Sequence, residues 1–349
     1  MLNEEIKRKK LDNYYLIEKQ KMERRINLEG FPYWLTIDPA NYCNLRCPFC
    51  PTGQGRGTRQ PAKLGLNLFK TIMDTLGPYL IHIDFCNWGE PFLNENICEM
   101  IKLAKTFGIN TKIDTNLNVF SEQMAEGLVE SGLDKIILSI DGASQETYEK
   151  YRRGGSFEKV MRNIDLLVKA RQKLQKKTPF IQWQFLVFKH NEHEIENARV
   201  MAEEKGVDDI SFTAPYVRNP EWLTTIDEYR IRHYEIKNGQ VGFKKQGSKV
   251  ICEWLWDAIV VNSNGSISPC CSVEDEKDDF FPNFPEKNFS EIWNDEKYLT
   301  ARKKILQGEN SLSLSSNICL HCEHWGWNNH TDVKHIVNEW GNIEEKIIG

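Results

Sequence analysis

Asn41-Tyr42-Cys43-Asn44-Leu45-Arg46-Cys47-Pro48-Phe49-Cys50 holds three cysteines in a C-x3-C-x2-C spacing, which lets three thiolates meet at one point on a short loop. A [4Fe-4S] cube takes a ligand on each of four irons, most often a cysteine thiolate. Three thiolates with no fourth beside them leave one iron open, and an open iron can bind a cofactor. Zinc is the alternative. It takes four Cys or His ligands, often as C-x2-C pairs, and no histidine lies near this loop.

The surrounding chain places the loop in a fold. From Tyr33 to Leu186, short β-branched or apolar runs alternate with helical stretches, the pattern of βαβ units and a parallel sheet. Strands are expected at Trp34 to Asp38, Ile81 to Cys86, Asn110 to Asp114, Lys135 to Ile140, Ile181 to Val187 and Asp209 to Thr213. Helices are expected at Leu68 to Leu76, Ile97 to Phe107, Ser121 to Glu130, Phe157 to Leu174 and Glu194 to Lys205. The fold class is α/β, an incomplete (β/α)6 TIM barrel with a small C-terminal α+β domain. Three signals fall at strand C-terminal ends: the cysteine loop, Asn87-Trp88-Gly89-Glu90-Pro91, and Asp114-Thr115-Asn116. Barrel active sites gather at that rim.

The cysteine loop, followed by this element order, resembles the radical S-adenosylmethionine (SAM) superfamily over roughly residues 30 to 215. The resemblance implies that SAM chelates the open iron and is cleaved reductively to a 5'-deoxyadenosyl radical. It implies that Cys43, Cys47 and Cys50 ligate the cluster and that Phe49 packs beside the adenine. Gly89 and Glu90 match the Gly-Gly-Glu-Pro segment that receives the SAM amino group, with Trp88 in place of its first glycine. Asn116, Ser139 in Ser139-Ile140-Asp141-Gly142, and the backbone of Val187 are further cofactor-binding candidates. Downstream lie Tyr148 and Tyr151-Arg152-Arg153; Arg152 is a candidate for clamping the SAM carboxylate or a substrate anion bidentately. His190 and His193 read as part of a polar loop before a helix.

Five more cysteines follow a bridge over residues 216–251: Cys252, Cys270, Cys271, Cys319 and Cys322. Trp256 to Val261 and Ser266 to Pro269 read as a hairpin around an Asn264-Gly265 turn, a pair suited to positive φ. The hairpin brings Cys252 and Cys270 together, and a helix beginning near Ser290 returns the chain to Cys319-x2-Cys322. This set, over residues 252–325, resembles the SPASM/twitch auxiliary domain in its shorter, single-cluster form. The usual Gly-Asn turn before the helix is replaced by Phe281-Pro282-Asn283-Phe284-Pro285. Four ligands, Cys252, Cys270, Cys319 and Cys322, imply a second [4Fe-4S] cluster with no open iron, which carries electrons. A zinc ribbon using His321 and His324 is the competing reading. Cys271 is left as a candidate catalytic hydrogen-atom donor or a buried thiol, and Cys86 and Cys98 as lone buried cysteines.

Composition narrows the partners. The net charge is -5 over 349 residues, and basic residues are scattered apart from Lys7-Arg8-Lys9-Lys10 in a helix-like segment over residues 1–30, which reads as a solvated amphipathic helix. Nucleic acid is not an expected partner. No apolar run approaches the roughly 18 residues of a membrane span, and the first residues lack the apolar segment of a signal peptide, so a cytoplasmic location without membrane partners is expected. Ten cysteines in that compartment read as metal binding or catalysis.

The expected activity is oxidation of a small polar, carbohydrate- or aminocyclitol-like substrate, with flavodoxin or ferredoxin as electron donor. Epimerisation of a sugar or peptide through Cys271 is one alternative, and a non-enzymatic zinc-binding scaffold is another. No peptide-recognition domain is evident, and residues 326–349 read as a tail.

Overall fold

The computed structural model describes residues 4–215, 217, 219–230, 234–238, 240–243, 251–284, 288–307 and 317–322. The tail over 326–349, His324, Lys244-Lys245 and the end of the auxiliary segment at 323–325 lie outside the described residues.

Helix α1 (Glu4–Met22) leads into strand β1 (Trp34–Ile37), followed by α2 (Leu66–Leu76), β2 (His82–Asp84), α3 (Ile97–Thr106), β3 (Asn110–Thr115), α4 (Glu122–Ser131) and β4 (Lys135–Ser139). Then come α5 (Gln145–Tyr151), α6 (Phe157–Lys173), β5 (Phe180–Leu186), α7 (Ile195–Lys205) and β6 (Asp209–Thr213). The bridge holds α8 (Asp227–Arg230) and a two-stranded pair, β7 (Tyr234–Lys237) with β8 (Gln240–Phe243). Helix α9 (Trp254–Asp257), β9 (Ala258–Val261), β10 (Ile267–Ser268), α10 (Phe289–Trp293) and α11 (Glu296–Gln307) complete the described elements.

Strands β1 to β6 form a parallel sheet in sequence order. The hairpin does not stand apart from it. β9 pairs in parallel with β1, Trp34 opposite Ala258, and β10 closes the edge antiparallel, giving eight strands in the order β10-β9-β1-β2-β3-β4-β5-β6. An edge strand presents unpaired backbone groups, and the auxiliary segment covers those of β1. The turn also differs from the Asn-Gly expectation: Gly265 alone takes a positive φ, of 88°, and Asn262 N–H bonds to Ser266 O at 2.9 Å.

Alternation along the strands sorts the two faces of the sheet. Leu35, Ile37, Ile83, Ile113, Ile136, Leu138, Ile181, Trp183 and Phe185 are fully buried and meet the helices. Helix α2 answers with Phe69, Ile72, Met73 and Leu76, spaced three and four apart on one face. The opposite, lumenal positions are mostly polar: His82, Asp84, Lys112, Asp114, Ser139, Gln182 and Gln184 fall in register across β2 to β5. A side-chain period of two makes this division unavoidable once the register is set.

Helix α1 corrects the expectation of a solvated helix. Its buried residues are Lys10, Asn13, Ile17, Gln20 and Lys21. Lys10 Nζ donates to the carbonyls of Leu80 and Gly108, just ahead of β2 and β3, and Asn13 exchanges hydrogen bonds with the backbone of Phe31 at 2.8 and 2.9 Å. The helix thus lies across the N-terminal ends of the strands, where free carbonyls take its polar side chains. Arg302 of α11 fastens the other side. Fully buried, it donates to the carbonyls of Leu255 and Trp293 at 2.8 Å and of Ile26 at 3.0 Å, and it lies over the Trp293 ring. Arg302→Met keeps most of the volume but strands three acceptors. The expected loss is about 3 kcal/mol or more, read as a lower urea midpoint.

Candidate active site

The loop after β1 carries Cys43, Cys47 and Cys50, held by short backbone bonds. Cys50 N–H donates to Cys47 O at 3.2 Å, and Leu45 N–H points at Cys43 Sγ from 3.4 Å. The three thiols lie within electrostatic reach of one another, and burial pushes the Cys43 thiol up to about 12 and raises that of Cys47. Thiols so shielded ionise only against a cationic centre, which a metal cluster supplies. Among the described residues no three Cys, His, Asp or Glu side chains converge on a single-ion site. Three thiols within electrostatic reach of one another, with N–H donors toward Cys43 Sγ, are a donor set that fits a cluster with one corner left for another ligand.

The next loop is strapped to this one. Asp38 Oδ1 accepts the successive N–H groups of Asn87, Trp88 and Gly89 at 3.2, 3.0 and 3.4 Å. Burial pushes the Asp38 carboxyl up to about 6, against the pull of these donors. A Cβ on Gly89 would stand 1.7 Å from Ala40 O, so only glycine lets the two backbones cross. Trp88, in the position of the family's first glycine, turns away and donates from Nε1 to Val273 O at 3.0 Å, reaching the auxiliary segment.

Glu90 is buried, and its carboxylate accepts from Thr115 Oγ1 at 2.7 Å, Asn116 N–H at 2.9 Å and Phe92 N–H at 3.2 Å. Its side chain therefore ties the end of β2 to the end of β3, while burial raises the carboxyl to about 7. Asn116 completes the circuit, with Nδ2 at 3.0 Å from Asn44 Oδ1 and 3.6 Å from Cys43 Sγ. Of the sequence-derived candidates, Gly89, Glu90 and Asn116 are brought together with the cysteine loop.

Arg152 occupies the far wall. Its Nε donates to Asp141 Oδ2 at 2.5 Å, its guanidinium stands beside the Cys47 thiol, and it lies 5.2 Å from the Tyr151 ring centre. Asp141 in turn accepts from Leu186 N–H at 2.7 Å. Phe49 meets Trp222 edge-on at 5.0 Å, within a small cluster that includes Tyr151 and Phe188. Ser139 ends β4 on the lumenal face, opposite Gln184, and Val187 is fully buried with its N–H on Thr213 O at 2.9 Å. His190 stacks on Phe188, and burial pushes its imidazole down to about 4; His193 is exposed.

The cysteines of the second set are also electrostatic neighbours of one another. The electrostatic neighbours of Cys270 and Cys319 include Cys252, and Cys322 neighbours both Cys252 and Cys319. Cys271 neighbours Cys270 electrostatically and also lies within the field of Asp84 and Lys112 of the lumen, and burial raises its thiol to about 11. A cavity of about 800 Å³ separates Phe49 from Cys270, Cys319 and Cys322. Arg59, which sequence reading passed over, clasps the two regions: it donates to Asp279, to Glu274 O at 2.7 Å and to Ser268 Oγ at 3.3 Å. Asp38 was missed as well, although an acid at a strand end followed by a cysteine loop was a readable signal.

Residues 37–178 match the radical SAM superfamily, and residues 252–323 match the SPASM iron-sulfur cluster-binding domain. The chain belongs to the radical SAM superfamily. Proteins of this make-up bind SAM with a [4Fe-4S] cluster in the first domain and further iron-sulfur in the second. The GTP 3',8-cyclase of Chlorobaculum tepidum is 32% identical over 39% of this chain and 41% of its own length. The chain spans between about a third and a half of the length of the first curated relatives it matches. Among solved structures, Streptococcus suis SuiB bound to precursor peptide SuiA has a TM-score of 0.59 at 16% identity, over 90% of this chain and 74% of SuiB. BtrN in complex with AdoMet and 2-DOIA has 0.50 at 16%, over 80% and 89%. These likenesses establish the shared fold, a partial barrel with a C-terminal domain. No helix among the described residues is long and apolar enough to cross a membrane.

Gly89→Ala tests the strap in this radical SAM protein. The backbone at 87–89 must leave Ala40, so SAM binding should weaken at least tenfold, measured by equilibrium dialysis. The auxiliary set should still retain about four irons.

Proposed function

We propose that this radical SAM enzyme removes hydrogen from a C–H bond of a small polar, carbohydrate- or aminocyclitol-like substrate and completes a two-electron oxidation. The observation that carries the reading is the pairing of a three-cysteine loop with a four-cysteine set across one cavity, beside a polar lumen. Cys43, Cys47 and Cys50 would hold the first cluster, and Cys252, Cys270, Cys319 and Cys322 the second. When bound, the first cluster with SAM supplies a hydrogen-abstracting 5'-deoxyadenosyl radical, and the second supplies an electron acceptor.

The chain's own residues orient and enclose. Asp38 and Gly89 hold the loop whose backbone would receive the SAM amino group, and Glu90 fixes that loop to Asn116. Phe49 would offer an aromatic face to the adenine, and Ser139 and Val187, at strand ends, would meet the ribose and base. Arg152, already paired with Asp141, places positive charge beside Cys47, which holds a thiolate there more readily than it grips a free carboxylate. The domains follow the same division: a helical extension at 1–30, the SAM core at 31–215, a bridge at 216–251 and the auxiliary domain at 252–325. Flavodoxin or ferredoxin is the proposed reductant.

A second reading has one observation in its favour. Burial raises the Cys271 thiol to about 11, and Asp84 and Lys112 of the lumen are among its electrostatic neighbours, which suits a hydrogen-atom donor in an epimerase; there the substrate is a sugar or a peptide. Deuterated water separates the two. Oxidation predicts product lacking solvent deuterium at the reacting carbon and a Cys271→Ala variant that keeps most turnover. Deuterium at that carbon, with turnover lost in Cys271→Ala, supports epimerisation instead. Metal analysis of the anaerobically purified protein should find about eight irons and eight sulfides per chain; zinc without sulfide would overturn both readings.

A further inference from the structure

The cysteine loop has an outer side as well as an inner one. Leu45 and Cys47 are buried, whereas Asn44 and Arg46 are exposed. The same division falls on the two arginines after α5: Arg152 is turned inward to Asp141 and the Cys47 thiol, and Arg153 is exposed. The backbone joins the two outward residues, with Arg46 N–H on Arg153 O at 3.0 Å.

Asn44, Arg46, Gly53, Gln54, Arg153 and Gly154 line a hollow of about 650 Å³ on this side. Its lining has two arginines and no carboxylate, and neither guanidinium has an ion-pair partner among the described residues. The floor lies against the cysteine loop itself. Gln54 Nε2 donates to Cys47 O at 3.0 Å, and a Cβ on Gly53 would stand 2.7 Å from Cys47 N, so glycine is what lets the floor come this close. Electron transfer falls off steeply with distance, so a reductant that serves this loop has to seat beside it. Charge sets the kind of partner. The chain carries a net charge of -5, and an acidic carrier would be repelled by much of such a surface. Two unpaired arginines in a hollow without carboxylates supply local attraction and orientation.

We infer that Arg46 and Arg153 dock an acidic one-electron carrier protein over this hollow, from which the electron reaches the Cys43, Cys47 and Cys50 site through the loop that forms the floor. One electron leaves the reduced carrier and enters the cluster held there, and no bond is made or broken. The inference rests on the proposed function for the need of a reductant and adds where that reductant sits.

Calorimetric titration of the two-cluster protein with oxidised flavodoxin, and separately with a [2Fe-2S] ferredoxin, tests it without turnover. At least one carrier should bind, and raising the salt from about 0.05 to about 0.5 M should weaken it tenfold or more, because the screening length falls roughly threefold. Arg46→Glu/Arg153→Glu should weaken binding tenfold or more at unchanged iron content, while Arg8→Glu, on α1 at the opposite ends of the strands, should change it less than twofold. With the reduced carrier below saturation, 5'-deoxyadenosine release by the double variant should fall tenfold or more; with dithionite it should stay within twofold of wild type. Binding by neither carrier, binding indifferent to salt or to the double variant, an equal loss in Arg8→Glu, or a short oligouridylate bound as tightly as the carrier overturns the docking surface. An equal loss of the dithionite-driven rate overturns it too, since the arginines would then serve the cofactor. Failure of the wild-type protein to release 5'-deoxyadenosine with dithionite overturns the proposed reaction instead and leaves the titration untouched.

Discussion

One backbone crossing governs the site. Gly89 passes Ala40 with no room for a side chain, and the Asp38 carboxylate takes the three N–H groups of residues 87–89. The crossing joins the loop after β1, which carries the cysteines, to the loop after β2, which carries Glu90. Glu90 and Asn116 extend the link to β3 and back to Cys43. Three strand ends therefore move as one body. A cofactor held between them meets preformed walls, so little ordering entropy is left for binding to offset.

The auxiliary segment is anchored to the same body in two ways. β9 continues the parallel sheet beyond β1, and Arg59 with Trp88 reaches across to residues 268–279. These contacts hold Pro48 and Phe49 of the cysteine loop and Cys270, Cys319 and Cys322 of the auxiliary segment around one cavity. At the other end of the strands, α1 absorbs the carbonyls that a partial barrel leaves exposed.

Local pattern made much of this legible. The cysteine spacings, the βαβ alternation and the Gly-Glu-Pro turn are short-range features, and β1 to β6 fall where the alternation placed them, within a residue or two. Other features depended on partners distant in sequence. The burial of Lys10 needs carbonyls about 70 and 98 residues away, and the pairing of β9 with β1 joins segments more than 200 residues apart. Helix α5 escaped notice because Gln145–Tyr151 is too short for a periodic apolar face; its Ser144 cap was the readable sign. The lumenal charges were present in the strand sequences, but only the register showed that Asp84, Lys112 and Asp114 share a face.

The central claim is a cluster bound by three protein sulfurs whose remaining corner accepts SAM. Low-temperature electron paramagnetic resonance of the reduced protein, with Cys252, Cys270, Cys319 and Cys322 replaced by alanine so that one cluster is left, tests it most directly. Addition of SAM should shift the g values of the remaining signal, and that signal should be lost when Cys43 is also replaced. A spectrum indifferent to SAM, or one that survives loss of Cys43, would contradict the account.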